Sequence, residues 1–510
     1  MSDRRLAFSK PFPTLLLLAD LMLGLVSVTW FSVQADDLPA AAAELEAASP
    51  DPAAQVPEQT TPFREYLPLL VQHYPWISPF GIEPWSTLQS LDLMNKAVNL
   101  ETNWVRLNRR ISWRILQPTE GAPIDWGLLA GFEGELRAVK AQGMTPMIIV
   151  DDHPEWATVV EYGSDGQRSW CAAIRPDKLA AFAQFMRALA ARYKSPEFDV
   201  HYWEMGNEPD VDPALVPGDS NFGCWGDIGD PYYGGERYGE MLKVVTPAIR
   251  AEDPGARVVL GGLLLDKPLT TDPNLGRPEL FLEGILRAGA ADDFDILAFH
   301  AYPSYTGPKR DYDLYSGVWT DWGGLVPGKV LYLRQTMANY GVDKPLFLNE
   351  TGLACPPYYA VCDPAEPQFF QVQASHVPRS FVRGIGDGIV GFVWYTLDGP
   401  GWRYTSLLQG DGTPKPVYVA YQQLAEQLEN ARYLQPVDYG PGLEAYAFRR
   451  GTQFVHVVWA RDDETLAIMV PRSNFVAAYD RDGNPLSPDL VAMNYQLQVG
   501  FEPIYLILKD

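Results

Sequence analysis

The amino-acid sequence predicts an α/β chain, a (β/α)8 or TIM barrel followed by a small C-terminal β-sandwich, and three observations carry that reading. Eight short apolar runs alternate with stretches of helical periodicity between Pro79 and Leu428. Polar residues that stand out from their surroundings collect where those runs end. After Arg432 the pattern changes to short, partly alternating segments separated by turns.

In chain order the apolar runs are Phe80-Gly81-Ile82 and residues 104–107, 144–150, 200–205, 258–265, 294–299, 346–348 and 389–395. Each is short and nearly continuous, as strands buried on both faces are. Between them, Leu128, Phe132, Leu136 and Val139 form one helical stripe, and Leu179, Phe182, Phe185, Met186, Leu189 and Tyr193 form another. Gly143 and Lys194-Ser195-Pro196 supply the stops. An open doubly wound sheet is the rival arrangement, but no Gly-rich phosphate loop follows the first strand. The barrel is expected over residues 66–430, with long loops after several strands. Segments 444–448, 454–459, 465–470, 475–479 and 504–508, separated by Arg450-Gly451 and Asp482-Gly483-Asn484-Pro485, predict the sandwich over 431–510. It lacks an aromatic strip and reads as a structural module.

The N-terminus reads as an address. Arg4, Arg5 and Lys10 precede an apolar run from Leu15 to Phe31, and Val33-Gln34-Ala35 offers small residues for cleavage after Ala35. Residues 1–35 are therefore a signal peptide or, if uncleaved, a membrane anchor, although Asp20 inside the run disfavours a spanning helix. Residues 36–65 are rich in Ala, Pro, Glu and Gln and bury too little to order themselves, so they form a linker. The expected location is outside the cytoplasm: secreted, periplasmic or at the cell surface, with a possible membrane tether.

Charge and cysteine content narrow the function. A net charge of −24, from 64 acidic and 40 basic residues, repels phosphate backbones and argues against nucleic acid as a partner. Four cysteines in an exported chain suggest two disulfides, read as Cys171 with Cys224 and Cys355 with Cys362, with free buried thiols as the alternative. No CxxC pair or HxxxH accompanies them, so neither a metal nor another cofactor is expected.

Two stretches carry the chemistry. Trp203-Glu204-Met205-Gly206-Asn207-Glu208-Pro209 and Phe347-Leu348-Asn349-Glu350-Thr351-Gly352 each deliver a glutamate where an apolar run breaks into a loop. Functional groups of such barrels sit at the C-terminal ends of strands. Arg106 lies near the end of strand 2, Asp151, Asp152 and His153 follow strand 3, and Asn207 and Glu208 close strand 4. His300 and Tyr302 close strand 6, Glu350 closes strand 7, and Trp394 with Tyr395 closes strand 8. Paired carboxylates across a barrel mouth are what hydrolysis of a sugar bond needs. Glu204 shares strand parity with Glu208 and is expected inside the barrel as a buried partner for a cation.

These motifs resemble those of glycoside hydrolase clan A, the retaining barrel glycosidases. Asn207-Glu208-Pro209 and Glu350 look like its acid/base and nucleophile signatures. His300-x-Tyr302 and Trp394 are similar to its strand 6 and strand 8 site residues. The stretch His153-Pro154-Glu155-Trp156-Ala157 resembles the strand 3 loop of family 39, which includes β-xylosidases; the strand 7 wording Asn-Glu-Thr-Gly departs from the commonest one, and a family 5-like chain stays open. The resemblance implies an exported retaining glycosidase that cleaves β-linked O-glycosidic bonds of poly- or oligosaccharides by double displacement. Glu208 would be the acid/base and Glu350 the nucleophile, kept ionised by Arg106 and a hydrogen bond from Tyr302. Asn207 would hold the sugar 2-hydroxyl, Trp394 would lie under the reacting sugar, and His153 and His300 would contact substrate. Trp156, Trp170, Trp225 and Trp402 are candidates for further subsites. A transglycosylase with the same glutamates and a catalytically silent sugar-binding barrel are the alternatives.

Overall fold

The computed structural model describes residues 78–509 except Asn221 and Ser316. The expected leader or anchor, the linker and the first part of the expected barrel segment, residues 1–77, lie outside the described residues. Among the described residues, no helix is long and apolar enough to cross a membrane.

Eight parallel strands close into a barrel in sequence order, β1 (Phe80–Glu83), β2 (Trp104–Ser112), β3 (Thr145–Asp151), β4 (Tyr202–Asn207), β5 (Arg257–Leu263), β6 (Ile296–Ala301), β7 (Leu346–Thr351) and β8 (Ile389–Tyr395). Glu83 of β1 pairs with Tyr395 of β8 to complete the ring. The helices that follow the strands are α1 (Leu91–Val98), α2 (Ala130–Ala141), α3 (Leu179–Tyr193), α4 (Gly235–Glu252), α5 (Phe281–Arg287), α6 (Leu325–Ala338), α7 (Pro367–Gly386) and α8 (Pro416–Leu428). The expected fold class is therefore the observed one. One helical stripe is displaced: Leu128 is 58% exposed, while Leu129 is buried. Residues Trp126–Leu129 form a 3-10 turn, whose 3.0 residues per turn shift the phase of the apolar face before α2 begins.

Strand alternation sorts the side chains into two cores. Trp104, Met147, Val259, Ile296, Ala298, Phe347 and Val393 fill the barrel floor. Their neighbours Val105, Leu107, Ile148, Leu297, Phe299, Leu346, Leu348, Phe392 and Trp394 point outward into the layer shared with the helices. Gly81 makes room for the largest floor residue, since a Cβ there would stand 2.6 Å from that of Trp104. One step beyond this floor, toward the C-terminal ends of the strands, the inward positions become charged.

The C-terminal part holds a five-stranded sheet, ordered β13 (Phe475–Tyr479), β16 (Ile504–Lys509), β11 (Gln453–Ala460), β10 (Leu443–Arg450), β9 (Arg432–Pro436), and a three-stranded one, ordered β12 (Leu466–Pro471), β15 (Asn494–Val499), β14 (Asp489–Val491). Leu443, Val458, Ile468, Val470, Leu497, Val499 and Leu506 pack in one core, which both sheets supply in the manner of a sandwich. Strands β9, β14 and β15 escape the sequence reading because their exposed or polar residues break the apolar alternation. Phe448, Val455, Trp459, Tyr505 and Ile507 join the barrel's outer core instead. Arg379 of α7 donates to the carbonyls of Ala460 and Phe501 at 3.2 and 3.0 Å, and Arg383 pairs with Glu444 at 2.9 Å. Barrel and sheets belong to one compact unit.

Candidate active site

Local backbone irregularities aim the polar side chains inward. At the end of β4, Gly206 has φ 91° and Glu208 has φ 46°. A left-handed conformation is uncommon for a residue with a Cβ and concentrates at functional sites. It ends the ladder one residue before Pro209, the expected stop, and leaves the Glu208 N–H on the carbonyl of Gly262 at 3.1 Å. Between β6 and β7 the register slips, with Phe299 opposite Leu348 but His300 opposite Glu350. This bulge lets Asn349 and Glu350, adjacent in sequence, both serve the interior.

Arg106 is the centre of the charged layer. Fully buried, it donates Nε and Nη2 to the two oxygens of Glu204 at 2.8 and 2.9 Å, and Nη2 also to Oδ1 of Asn207 at 2.6 Å. Its Nη1 donates to Glu83 at 2.6 Å and to Glu350 at 2.5 Å. The expectation for Glu204, a buried carboxylate facing a cation, matches this geometry; it also accepts from Asn349 Nδ2 at 2.7 Å and Gly262 N at 3.2 Å. Because a guanidinium only donates, Asn207 must present its oxygen to Arg106, which turns its amide nitrogen away.

Glu208, His300 and Glu350 meet at the mouth. His300 Nδ1 lies 2.9 Å from Glu208 and 3.5 Å from Glu350, and one donor atom from each of the three falls within 4.8 Å of the others. Tyr302 donates its hydroxyl to the second oxygen of Glu350 at 2.8 Å. Burial pushes the Glu350 carboxyl upward, but His300, Arg106 and the hydrogen bonds from Tyr302 and Arg106 outweigh it and hold the group below its ordinary range. Burial pulls the His300 imidazole down, and the charges of Glu350 and Glu208 more than reverse that. Lys329 of α6 anchors the strand end beneath, donating to the carbonyls of His300 and Leu264, both at 2.7 Å. By distance alone Glu208, His300 and Glu350 could chelate a cation. The Arg106 charge beside Glu350 opposes one, and the set is suited to passing protons between its members.

Six of the residues singled out from sequence thus come together: Arg106, Asn207, Glu208, His300, Tyr302 and Glu350. Two do not. His153, 4% exposed, sits among Trp113, Phe182 and Trp225 with Nδ1 on the carbonyl of Ala172 at 3.0 Å, because it lies past the end of β3 and turns into the layer beneath the helices. Trp394 faces outward by strand parity, packs on His376 and Phe381 of α7, and donates Nε1 to the carbonyl of Thr405 at 2.7 Å. Its neighbour Tyr395 takes the inward position, 6.2 Å from the Tyr302 ring, and the Trp402 ring lies 5.0 Å from that of the same tyrosine, both as centroid distances. Of the other loop tryptophans, Trp225 is buried and Trp156 packs on Trp113, whereas Trp170 is exposed beneath Arg114.

Sequence reasoning passed over Glu83 and Gly262. Glu83 shares with the two glutamates it did find the closing of an apolar run by a carboxylate, and with Glu208 a proline directly after it, Pro84. Gly262 is legible only in space: a Cβ there would stand 2.1 Å from His300 Nε2 and 2.7 Å from Asn349 Oδ1. Both disulfides pair as expected, Cys171 with Cys224 and Cys355 with Cys362. The first joins the loops that follow β3 and β4, and the second closes a short loop after β7, so both brace the face that carries the carboxylates.

No protein-family model matches the sequence, and no curated protein matches it. Solved structures do. A family 39 glycoside hydrolase from the gut symbiont Bacteroides cellulosilyticus WH2 superposes with a TM-score of 0.61 at 17% identity over 84% of this chain and 81% of that one. A GH30 endoxylanase from Clostridium papyrosolvens C71 gives 0.57 at 14% identity over 86% and 97%, and a GH39 β-xylosidase from Caulobacter crescentus gives 0.54 at 17% over 86% and 97%. The chain therefore has the fold of the family 39 and family 30 glycoside hydrolases.

Proposed function

We propose that this chain is a retaining glycoside hydrolase acting on β-linked poly- or oligosaccharides, with Glu350 as nucleophile and Glu208 as acid/base. The observation that carries the reading is the meeting of the two carboxylates around one imidazole, with their nearest ligating atoms within 4.8 Å. That separation suits direct attack on the anomeric carbon; an inverting pair needs about 6.5 to 9.5 Å to admit a water.

In the first step an ionised Glu350 oxygen attacks the anomeric carbon while Glu208 gives its proton to the departing glycosidic oxygen. His300 Nδ1 faces both carboxylates and donates to whichever holds the charge. Arg106 and Tyr302 keep Glu350 ionised and orient it, and Asn207, its oxygen fixed on Arg106, offers its Nδ2 to the sugar 2-hydroxyl. In the second step Glu208, now a carboxylate, takes a proton from water, which attacks the same carbon and frees Glu350. Tyr395 and Trp402, beside Tyr302, replace Trp394 as the rings that meet the sugar.

Xylosides are the first substrates to try, because the structural neighbours include a β-xylosidase, an endoxylanase and a further xylanase; glucans and mannans follow. The basic, apolar, small-residue order of the N-terminus and the two disulfides support export. The test is hydrolysis of a panel of aryl β-glycosides by wild type, Glu208→Ala and Glu350→Ala. Both variants should lose at least about 10³-fold in kcat/KM. Azide should restore each, giving the β-glycosyl azide with Glu208→Ala and the α-anomer with Glu350→Ala. Equal activity in all three proteins sinks the assignment.

A further inference from the structure

We infer that Glu83 is a third working carboxylate of this site, a positioning residue that shares Arg106 Nη1 with Glu350 and so sets how tightly the nucleophile is held. The term nucleophile rests on the glycosidase reading above; the rest stands on geometry. Glu83 closes β1 and is 2% exposed, so solvent scarcely reaches its carboxyl. Nη1 carries two hydrogens, and one goes to each carboxylate, Glu83 at 2.6 Å and Glu350 at 2.5 Å.

One guanidinium thus faces three buried carboxylates, and that arrangement is unfavourable unless one of them keeps its proton. The hydrogen bonds say which. Glu204 accepts from Arg106 through both oxygens, from Asn349 and from Gly262. Glu350 accepts from Arg106 and Tyr302 and faces His300. The Glu83 carboxyl has Arg106 as its one hydrogen-bond donor among the described residues, and it is the member that gains least from ionising. The groups that face it are Arg106 on β2, Glu204 on β4, Glu350 on β7, Tyr395 on β8 and Tyr302 beyond β6. Burial, opposed by Arg106 and reinforced by Glu350 and Glu204, pushes its carboxyl up to about 7.

The consequence is a nucleophile whose environment changes near neutral pH. While Glu83 is neutral, the charge at Nη1 serves Glu350. Once Glu83 ionises it competes for that nitrogen, the hold on Glu350 slackens, and Glu350 becomes a poorer leaving group from its glycosyl ester.

Three proteins test this: wild type, Glu83→Gln, which mimics the neutral form, and Glu83→Ala. On an aryl β-glycoside, the wild-type pH profile of kcat should bend near pH 7 and that of Glu83→Gln should lack the bend. Glu83→Ala should lower kcat about tenfold with KM changed less than about twofold. Difference infrared spectra from pH 5.5 to 8.5 should show a protonated-carboxyl C=O band bleaching near pH 7 in wild type and in Glu208→Gln, and a bleach smaller by one carboxyl in Glu83→Gln, where Asp387 and Glu161, also raised to about 7, supply the remainder. A bend that persists in Glu83→Gln, or a bleach of undiminished amplitude there, overturns the inference, as does a change confined to KM, which would make Glu83 a substrate contact. If wild type hydrolyses nothing on the panel, the glycosidase reading fails on its own, and the infrared band still decides whether Glu83 holds the proton.

Discussion

Glu204 grips Arg106 at two points, taking Nε at 2.8 Å and Nη2 at 2.9 Å. This bidentate pair fixes the guanidinium plane and leaves Nη1 directed at Glu83 and Glu350. Removing Arg106 strands three buried carboxylates, so Arg106→Ala should destabilise the protein by about 3–5 kcal/mol or prevent its folding. Arg106→Lys should fold better but lose at least about 100-fold in kcat/KM, because a single ammonium cannot span Glu83, Glu204, Asn207 and Glu350 at once. Urea denaturation and steady-state kinetics on both variants check this. A Lys variant with wild-type kinetics would mean that only charge matters here.

The same layer gives stability two opposing pH slopes. Glu350 titrates below its ordinary range in the folded protein, so its contribution is full above the unfolded-chain value, about pH 4.5, and is lost as the pH falls through the folded value. Glu83, pushed up to about 7, acts in the reverse sense. The folded protein keeps a proton that the unfolded chain releases near pH 4.5, so stability declines as the pH rises from there to about 7 and then levels. Asp387, at about 7, and Asp151 and Asp210, at about 6, each raised chiefly by burial, add slopes of the same sign. His376 and His456, drawn down to about 4 by burial, slope the other way up to the ordinary imidazole value of 6.5, so the contribution of Glu83 is read by difference: the thermal midpoint of Glu83→Gln relative to wild type should rise from pH 5 to 7.

Gly262 is where packing and chemistry meet. Adding a methyl group there forces His300 away from Glu208 or Asn349 away from Glu204, since the new carbon would overlap His300 Nε2. Gly262→Ala should cost about 1–3 kcal/mol in stability. It should also lower kcat more than it raises KM, because the displaced imidazole no longer bridges the two carboxylates. A variant with unchanged kcat would remove His300 from the mechanism proposed above.

How far the sequence reveals this site depends on what kind of information each residue needs. The barrel was legible because buried parallel strands leave continuous apolar runs, and Arg106, Asn207, Glu208, His300, Tyr302 and Glu350 were legible because each is a polar residue ending such a run. Trp394 was misassigned because strand parity at β8 separates two adjacent aromatic residues onto opposite faces, and a run of seven strand residues with six apolar ones does not announce its phase. His153 was misassigned because a residue beyond the last strand position has no parity at all. Gly262 could not be found, since its importance lies in the approach of side chains from β6 and β7.

The two disulfides should differ in what they stabilise. Cys171 and Cys224 are 53 residues apart, Cys355 and Cys362 only 7. In the chain-entropy account, restricting the unfolded chain is worth about 4 kcal/mol for the longer loop and about 2 kcal/mol for the shorter. Replacing the first pair by serines should therefore lower the thermal midpoint more than replacing the second. Kinetics should follow a different order. The Cys355–Cys362 loop holds Arg403 through the Cys355 N–H to Arg403 carbonyl bond at 2.9 Å, and the Arg403 guanidinium lies 4.3 Å from the Trp402 ring, so its loss should loosen that ring and raise KM.

Trp394 and Trp402 then separate structure from substrate contact. Trp394 is fully buried between β8 and α7, and Trp394→Ala should destabilise the fold by about 3–5 kcal/mol, with loss of activity that tracks loss of folded protein. Trp402 is partly exposed and reaches Tyr302, the residue that donates to Glu350. Trp402→Ala should leave the thermal midpoint within a few degrees of wild type and raise KM about tenfold, the scale expected for losing about 1.4 kcal/mol of ring–sugar contact. The decisive comparison is between the two variants at a temperature where both are folded. If Trp394→Ala alone then raised KM, strand 8 would present its tryptophan to the sugar after all, and the inward assignment of Tyr395 would be wrong.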